Sequence, residues 1–478
     1  MSGTNATPIV CVSLFILFAA RGAASDSILA DAIEREQWQV VNKQIDVPEQ
    51  LQAAQPDGMT PLHWAVYHGN LEVTKRLLTA GVESDALTQY GVSPLSIACV
   101  HGNASIVGLL IAEGVEVDRM SNGGETPLLI ASRQGNADVI RALVTAGANV
   151  NGTERKGQTP LMWAAAEGNG EAIGALLDGG ANVDHTLNSG FNAFMFAARE
   201  GRIDAVRRLL AAGVDVNSVM THEKSQGRAP RVGTSALLLA VESGHFELAL
   251  FLIEKGADPN DQRSGFAPLH ALTWVRKPAS GDGIDGDPSP RGSGNVTSLD
   301  FARRILIAGA NVNLALERGS TGKAQLNMKG APPFLLASKT ADLPLLRLLL
   351  EFGADPLLPN ADGCTPILAA AGVGTVAVGE EPGTESEVLE TIEFLLAQGA
   401  EINTVDANQE TVMHGAAYRS YPKEVELLGR RGAVPSVWNH KNKHNWTPMK
   451  IAEGSRPGSV KPSPEVIAAL KAILESAP

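Results

Sequence analysis

The segment GMTPLHWA begins at Gly58 and returns as GVSPLSIA at Gly91, GETPLLIA at Gly124, GQTPLMWA at Gly157 and GFNAFMFA at Gly190, each start 33 residues after the last. Looser copies follow at Gly233, Gly265, Gly330 and Gly363, and then as QETVMHGA at Gln409 and NWTPMKIA at Asn445. A second half-pattern travels with it, as in RLLTAGVES, ALVTAGANVN, ALLDGGANVD and FLIEKGADPN. A period of this length rules out a single compact core for the 478-residue chain. Each unit is too short to bury its own apolar face, so neighbours have to stack.

The residues at each start have local meaning. Thr60 stands where a side chain accepts a hydrogen bond from a free amide of a helix's first turn. Pro61 takes the first helical position, where its missing N–H costs nothing. Leu62 and Ala65 share a helical face, and the small Ala allows a neighbouring helix to approach. Gly69 and Gly81 end two short helices in the left-handed conformation that glycine adopts without strain. Each unit therefore reads as turn, helix, turn, helix, loop, and the expected fold class is all-α.

This pattern resembles the ankyrin repeat, with its TPLH-type turn, helix pair and GADVN-type finger. The resemblance covers residues 58–478 as about eleven stacked helix–turn–helix repeats with β-turn fingers, a curved solenoid. Repeats are regular over 58–264 and irregular, with long loop insertions, over 265–478; residues 25–57 read as a degenerate N-terminal capping repeat. Residues 1–24 stand apart. Their apolar run IVCVSLFILFAA is shorter than the roughly 20 residues a bilayer span needs. It has the length of a signal-peptide core, with Gly22 and Ala24 as small residues before a cleavage point, although residues 2–8 carry no Lys or Arg. The expectation is an exported protein, periplasmic or secreted, monomeric, with no membrane span once the leader is removed. With such a leader the chain resembles the exported bacterial ankyrin-repeat proteins.

His63 invites a catalytic reading that the alignment removes. At its place the other repeats carry Ser96, Leu129, Met162, Met195, Leu238, His270, Leu335, Leu368, His414 and Lys450. Leucine cannot do an imidazole's chemistry, so the position is structural. Cys99 and Cys364 fall in distant repeats and read as small hydrophobes rather than a disulfide. The formal charge of −13 argues against nucleic acid and against an anionic membrane surface.

Other candidates fail on spacing. The stretch ERGSTGKAQ has Glu317 where a phosphate loop needs glycine and Ala324 where it needs Ser or Thr. Asp282, Asp285 and Asp287 offer calcium-type oxygens without EF-hand spacing. His440 and His444 lack the cysteine or carboxylate partners of a zinc site. No G-x-S-x-G, H-E-x-x-H or C-x-x-C occurs. No enzyme chemistry and no cofactor is expected.

The resemblance implies where a protein partner would bind: at residues flanking each finger glycine and closing each first helix, on the concave side. Those are Tyr67, His68, Gln89, Tyr90, Val92, His101, Asn122, Glu125, Arg133, Gln134, Arg155, Lys156, Gln158, Glu167, Asn188, Phe191, Arg199 and Glu200. Tyr90, Phe191, Arg133, Arg155 and Arg199 stand out, since aromatics and Arg dominate interface hot spots. The expected function is a non-catalytic scaffold for an extracytoplasmic protein partner. The alternative is an accessory or catalytic protein with a metal or substrate site built from the insertions at 275–298, 314–329 and 372–388.

Overall fold

The computed structural model describes residues 27–221, 231–278, 289–319, 325–376, 378–379, 381–455 and 461–476. Among these residues the regular structure is helical; the single isolated β-bridge pairs Val219 with Ser235. They divide into two compact units, one ending at Asp215 and one beginning at Val216. The change in repeat spacing at residue 264 lies inside the second unit.

Each start in the sequence becomes a helix start. The first helices of successive repeats open at Pro61, Pro94, Pro127, Pro160 and Ala193, then at Ala236, Pro268, Pro333, Pro366, Val412 and Pro448. In seven of these the residue before the helix caps it, Thr447 among them, whereas Ala267, Pro332, Thr365 and Thr411 make no side-chain cap bond. The side chains of Thr60, Ser93, Thr126, Thr159, Asn192 and Ser235 each accept a hydrogen bond from the backbone amide three residues on. Gly69 and Gly81 do take positive φ, 64° and 80°.

Second helices bury one stripe. Val73, Ile106, Val139, Ala172 and Ala205 line it in the first unit, each joined four residues later by Leu77, Leu110, Leu143, Leu176 and Leu209. All five leucines are fully buried, so truncating any one to Ala removes about 2–5 kcal/mol.

Repeats are tied along the stack by side chains at the start of each second helix. Asn136 Nδ2 donates to the Cys99 carbonyl at 3.1 Å, Asn169 Nδ2 to the Arg133 carbonyl at 3.0 Å, and Arg202 Nε to the Ala166 carbonyl at 2.9 Å. These bonds use carbonyls of the last helical turn, where the regular intrahelical donors run out. The stack opens on the pair Ile28–Glu34 and Trp38–Gln44, whose Leu29, Ile33 and Val41 are buried. Gln55 fastens this pair to the next repeat: Nε2 reaches Asp31 and Glu34 at 2.8 Å, and Oε1 accepts from Trp64 Nε1 at 2.7 Å.

In the second unit the described parts of the insertions pack on the repeats. Residues 289–297 run along the turn at Gly244. Ser293 N donates to His245 Nδ1 at 2.8 Å and Asn295 N to Glu247 Oε1 at 2.9 Å. Gly244 and Gly292 approach so closely that a Cβ on Gly292 would lie 1.7 Å from the Gly244 carbonyl oxygen. The third insertion is held by the Lys339–Glu381 ion pair and by the Tyr421 hydroxyl, which donates to the Gly383 carbonyl at 2.9 Å.

Candidate interaction surface

The partner surface expected from sequence lies wholly within the first unit. Gln89, Tyr90, His101, Asn122, Gln134, Arg155, Lys156 and Asn188 are exposed there, with Tyr90 at 65%. Tyr67, His68, Val92, Glu125, Arg133, Gln158, Glu167, Arg199 and Glu200 are half-buried. Phe191 is corrected. It is 5% exposed, with its ring 5.0 Å from that of Phe196, and presents no face to a partner. The place after a finger glycine takes large apolar side chains inward, as Met59 and Phe266 also show, while the smaller Val92 stays half-buried.

Two of its three arginines rest on aromatic rings. The Arg133 guanidinium lies 5.5 Å from the centre of the Trp163 ring and pairs with Glu125. Arg199 lies over Phe191 at 4.9 Å and Phe196 at 5.1 Å, and pairs with Glu200 at 2.9 Å. Ring and carboxylate together hold each guanidinium in place, which lowers the entropy cost of presenting it. Trp163 and Phe196 were not among the residues named from sequence. Their large rings at one first-helix position, 33 residues apart, were the available signal.

Tyr90, Asn122 and Arg155 sit on successive fingers and are linked through the backbone. Asn122 N donates to the Tyr90 carbonyl at 3.2 Å, and the Arg155 guanidinium donates to the Asn122 carbonyl. At one end stands an aromatic cluster in which Tyr67 meets Trp64, His68 and His101 edge-on, at ring distances of 5.2–5.4 Å. Burial and the neighbouring His68 hold His101 below the ordinary imidazole range.

The remaining sequence candidates take other roles. His63 is fully buried. Its Nδ1 accepts from the Thr60 amide at 3.2 Å, so the proton sits on Nε2, which faces the Val92 carbonyl at 3.1 Å. His270 and His414 repeat the arrangement, with Nε2 2.8 Å from the Leu314 carbonyl and 3.2 Å from the His440 carbonyl. Both ring nitrogens of His440 face backbone carbonyls, those of Val437 and Gln409, so the ring is bound within the finger rather than held open for zinc. Cys99 and Cys364 are free thiols and buried. Asp282, Asp285, Asp287 and Ala324 lie outside the described residues. Among the described residues no three His, Cys, Asp or Glu side chains are grouped to hold a metal ion.

The family profile described as ankyrin repeats (three copies) matches residues 29–121, 101–186, 128–220 and 168–263. The mouse B-cell lymphoma 3 protein homolog is 31% identical over 141 residues, covering 29% of this chain and 24% of that protein. Human ankyrin repeat domain-containing protein 63 is 28% identical over 252 residues, covering 50% and 55%. Its mouse counterpart is 29% identical over 158 residues, covering 32% and 33%. The chain thus spans between about a quarter and about half the length of these relatives, which are mammalian. The solved ankyrin repeat domain of human ASB11 aligns over 53% of this chain and 99% of its own, with 23% identity and a TM-score of 0.40. Residues 29–263 belong to the ankyrin-repeat family, and the fold is an ankyrin-repeat solenoid of stacked helix pairs. No helix among the described residues is long and apolar enough to cross a membrane.

Proposed function

We propose that this protein is a non-catalytic scaffold that holds an extracytoplasmic protein partner on the concave ankyrin surface of its first unit. The reading is carried by the exposed ring of Tyr90, tied through consecutive fingers to Arg155 and flanked by arginines fixed on aromatic rings. Such a row supplies rigid, amphipathic contact area of the kind hot spots use. Export rests on the apolar run and small residues within 1–24.

The test is affinity capture from the extracytoplasmic fraction, read by mass spectrometry. A variant combining Tyr90→Ala, Gln134→Ala, Arg155→Ala and Lys156→Ala leaves the buried residues untouched, so its helical circular dichroism should stay unchanged while capture is lost. Capture at the wild-type level would overturn the surface. Recovery of the native protein solely from the cytosol, with residues 1–24 intact, would overturn export.

A further inference from the structure

In the second unit a stretch of the chain lies over the kind of place that the first unit leaves open. Residues 68–70 are enough to turn from the helix Pro61–Tyr67 to the helix Leu71–Thr79. In the repeat opened by Gly363 the first helix stops early, as Pro366–Ala370, and residues 371–384 intervene before Glu385–Ala397. Among them Glu381, Pro382 and Gly383 cross the ends of the helices Pro333–Lys339 and Val412–Arg419, the first helices of the repeats on either side.

Each of the three meets a polar group there. The Glu381 carboxylate pairs with the Lys339 ammonium. The Pro382 carbonyl accepts from Arg419 Nη1 at 3.3 Å, and the Gly383 carbonyl accepts from the Tyr421 hydroxyl at 2.9 Å. Gly383, at φ 102°, comes so near that a Cβ on it would stand 3.0 Å from Ala341 Cβ. All three residues are half-buried, so the crossing adds little to the apolar core. The receiving side is built more firmly. Arg419 is only 3% exposed; its Nη2 donates to the Lys339 carbonyl at 2.7 Å, and its Nε is buried without a hydrogen-bond partner. Lys339 follows its finger glycine, Gly330, by nine residues, as Arg133 follows Gly124 and Arg199 follows Gly190. A cation thus stands at the same place in both units, and in the second one it is covered.

We propose that Lys339, Arg419 and Tyr421 form a second binding site, for an extended acidic segment of a protein partner, and that Glu381, Pro382 and Gly383 fill it in cis as a stand-in ligand. The hold consists of one ion pair and two hydrogen bonds to backbone carbonyls, which any peptide carrying a glutamate ahead of two carbonyls reproduces. Arg419 Nη1 and Nη2 donate to carbonyl oxygens rather than to a carboxylate, so a partner that brings a carboxylate to this guanidinium gains a charge-assisted bond that the chain's own segment does not supply. Tethering gives that segment an effective concentration on the order of millimolar, which a partner has to outcompete. The site lies within the second unit and does not depend on the surface around Tyr90.

The experiment uses the full chain and a fluorescein-labelled peptide EPGTESEV, the sequence of residues 381–388, followed by fluorescence anisotropy at low and high salt. Wild type should bind it only at roughly millimolar concentration. Glu381→Ala removes the segment's ion pair without touching the receiving side chains. It should keep the wild-type helical circular dichroism and bind the peptide about tenfold tighter, with affinity falling as salt rises. Adding Lys339→Ala should return binding to the wild-type level or below, and an unlabelled peptide of the same composition in scrambled order should not compete. Equal binding by wild type and Glu381→Ala, or loss of helical signal in Glu381→Ala, would make the segment a fixed brace and overturn the proposal. Tighter binding that survives Lys339→Ala, or full competition by the scrambled peptide, would place the peptide elsewhere and overturn it as well.

Discussion

His63 Nε2 lies 3.1 Å from the carbonyl oxygen of Val92, so an imidazole in one repeat is bonded to the finger of the next. Burial lowers the His63 pKa to about 4, as it does for His270 and His414. The unfolded chain protonates these rings near 6.5, so below that pH it binds more protons than the native state. Stability is therefore fully present above pH 6.5 and is lost as the pH falls from 6.5 to 4. Each ring costs roughly 2 kcal/mol at pH 5. Urea unfolding midpoints at pH 7.5 and 5.0 measure this. His63→Leu, the residue found in four other repeats, should lower the midpoint at pH 7.5 and flatten the drop toward pH 5.0. An unaltered drop would refute the assignment.

Gln409 occupies the finger place that glycine holds at 58, 91, 124 and 157, and it adopts the same left-handed backbone, with φ 61°. A side chain in that conformation costs about 1–2 kcal/mol, partly offset by the greater freedom of glycine in the unfolded chain. Gln409→Gly should raise stability by about 0.5–1 kcal/mol, and Gln409→Ala should raise it far less. Asn445, at φ 67°, is the same place filled by a residue that tolerates it, so Asn445→Gly should gain only a few tenths of a kcal/mol. Chemical denaturation of the three variants decides the order.

Arg276 binds Asp342 through two hydrogen bonds, Nε at 2.7 Å and Nη2 at 3.0 Å, while Asp342 also caps the helix Leu343–Glu351. Asp342 is fully buried. Removing the guanidinium strands that charge, a loss of about 3–5 kcal/mol for a buried pair broken on one side. Arg276→Ala should lower the denaturation midpoint accordingly and expose the neighbouring 289–297 segment to protease. Asp342→Asn keeps the cap acceptor and should cost less. A loss below about 1 kcal/mol for Arg276→Ala would show the pair to be dispensable.

Much of this fold was legible because the repeat makes the chain state each rule several times. Thr60, Ser93 and Thr126 announce a cap, and proline and glycine mark where helices open and close. The surface was harder to read. Phe191 stands at a place where Glu125 and Gln158 are half-exposed, and only its apolar ring sends it inward; a positional rule treats all three alike. Arg133 and Arg199 were named as contacts from their place at helix ends. The support of Arg133 by Trp163 crosses from one repeat to the next, which spacing does not encode, whereas Phe196 and Arg199 stand three residues apart on one helix and their contact could have been read from that spacing.

Glu424 supplies a pH response of the opposite sign. Its side chain is fully buried, and neither carboxyl oxygen has a hydrogen-bond partner. Burial pushes its pKa well above the ordinary carboxyl value, more strongly than the nearby Arg419 guanidinium can pull it down. A raised acid keeps its proton in the native state after the unfolded chain has released it. The stability it contributes is thus fully present below the unfolded pKa, near 4.5, and is lost as the pH rises through the folded one. Glu424→Gln keeps the shape and cannot ionise. Its stability relative to wild type should increase from pH 5 to pH 8, measured as the difference in urea midpoints, in which the histidine response common to both proteins cancels. A substitution effect identical at both pH values would mean that Glu424 does not titrate between the folded and unfolded states, and that its carboxylate is solvated or paired after all.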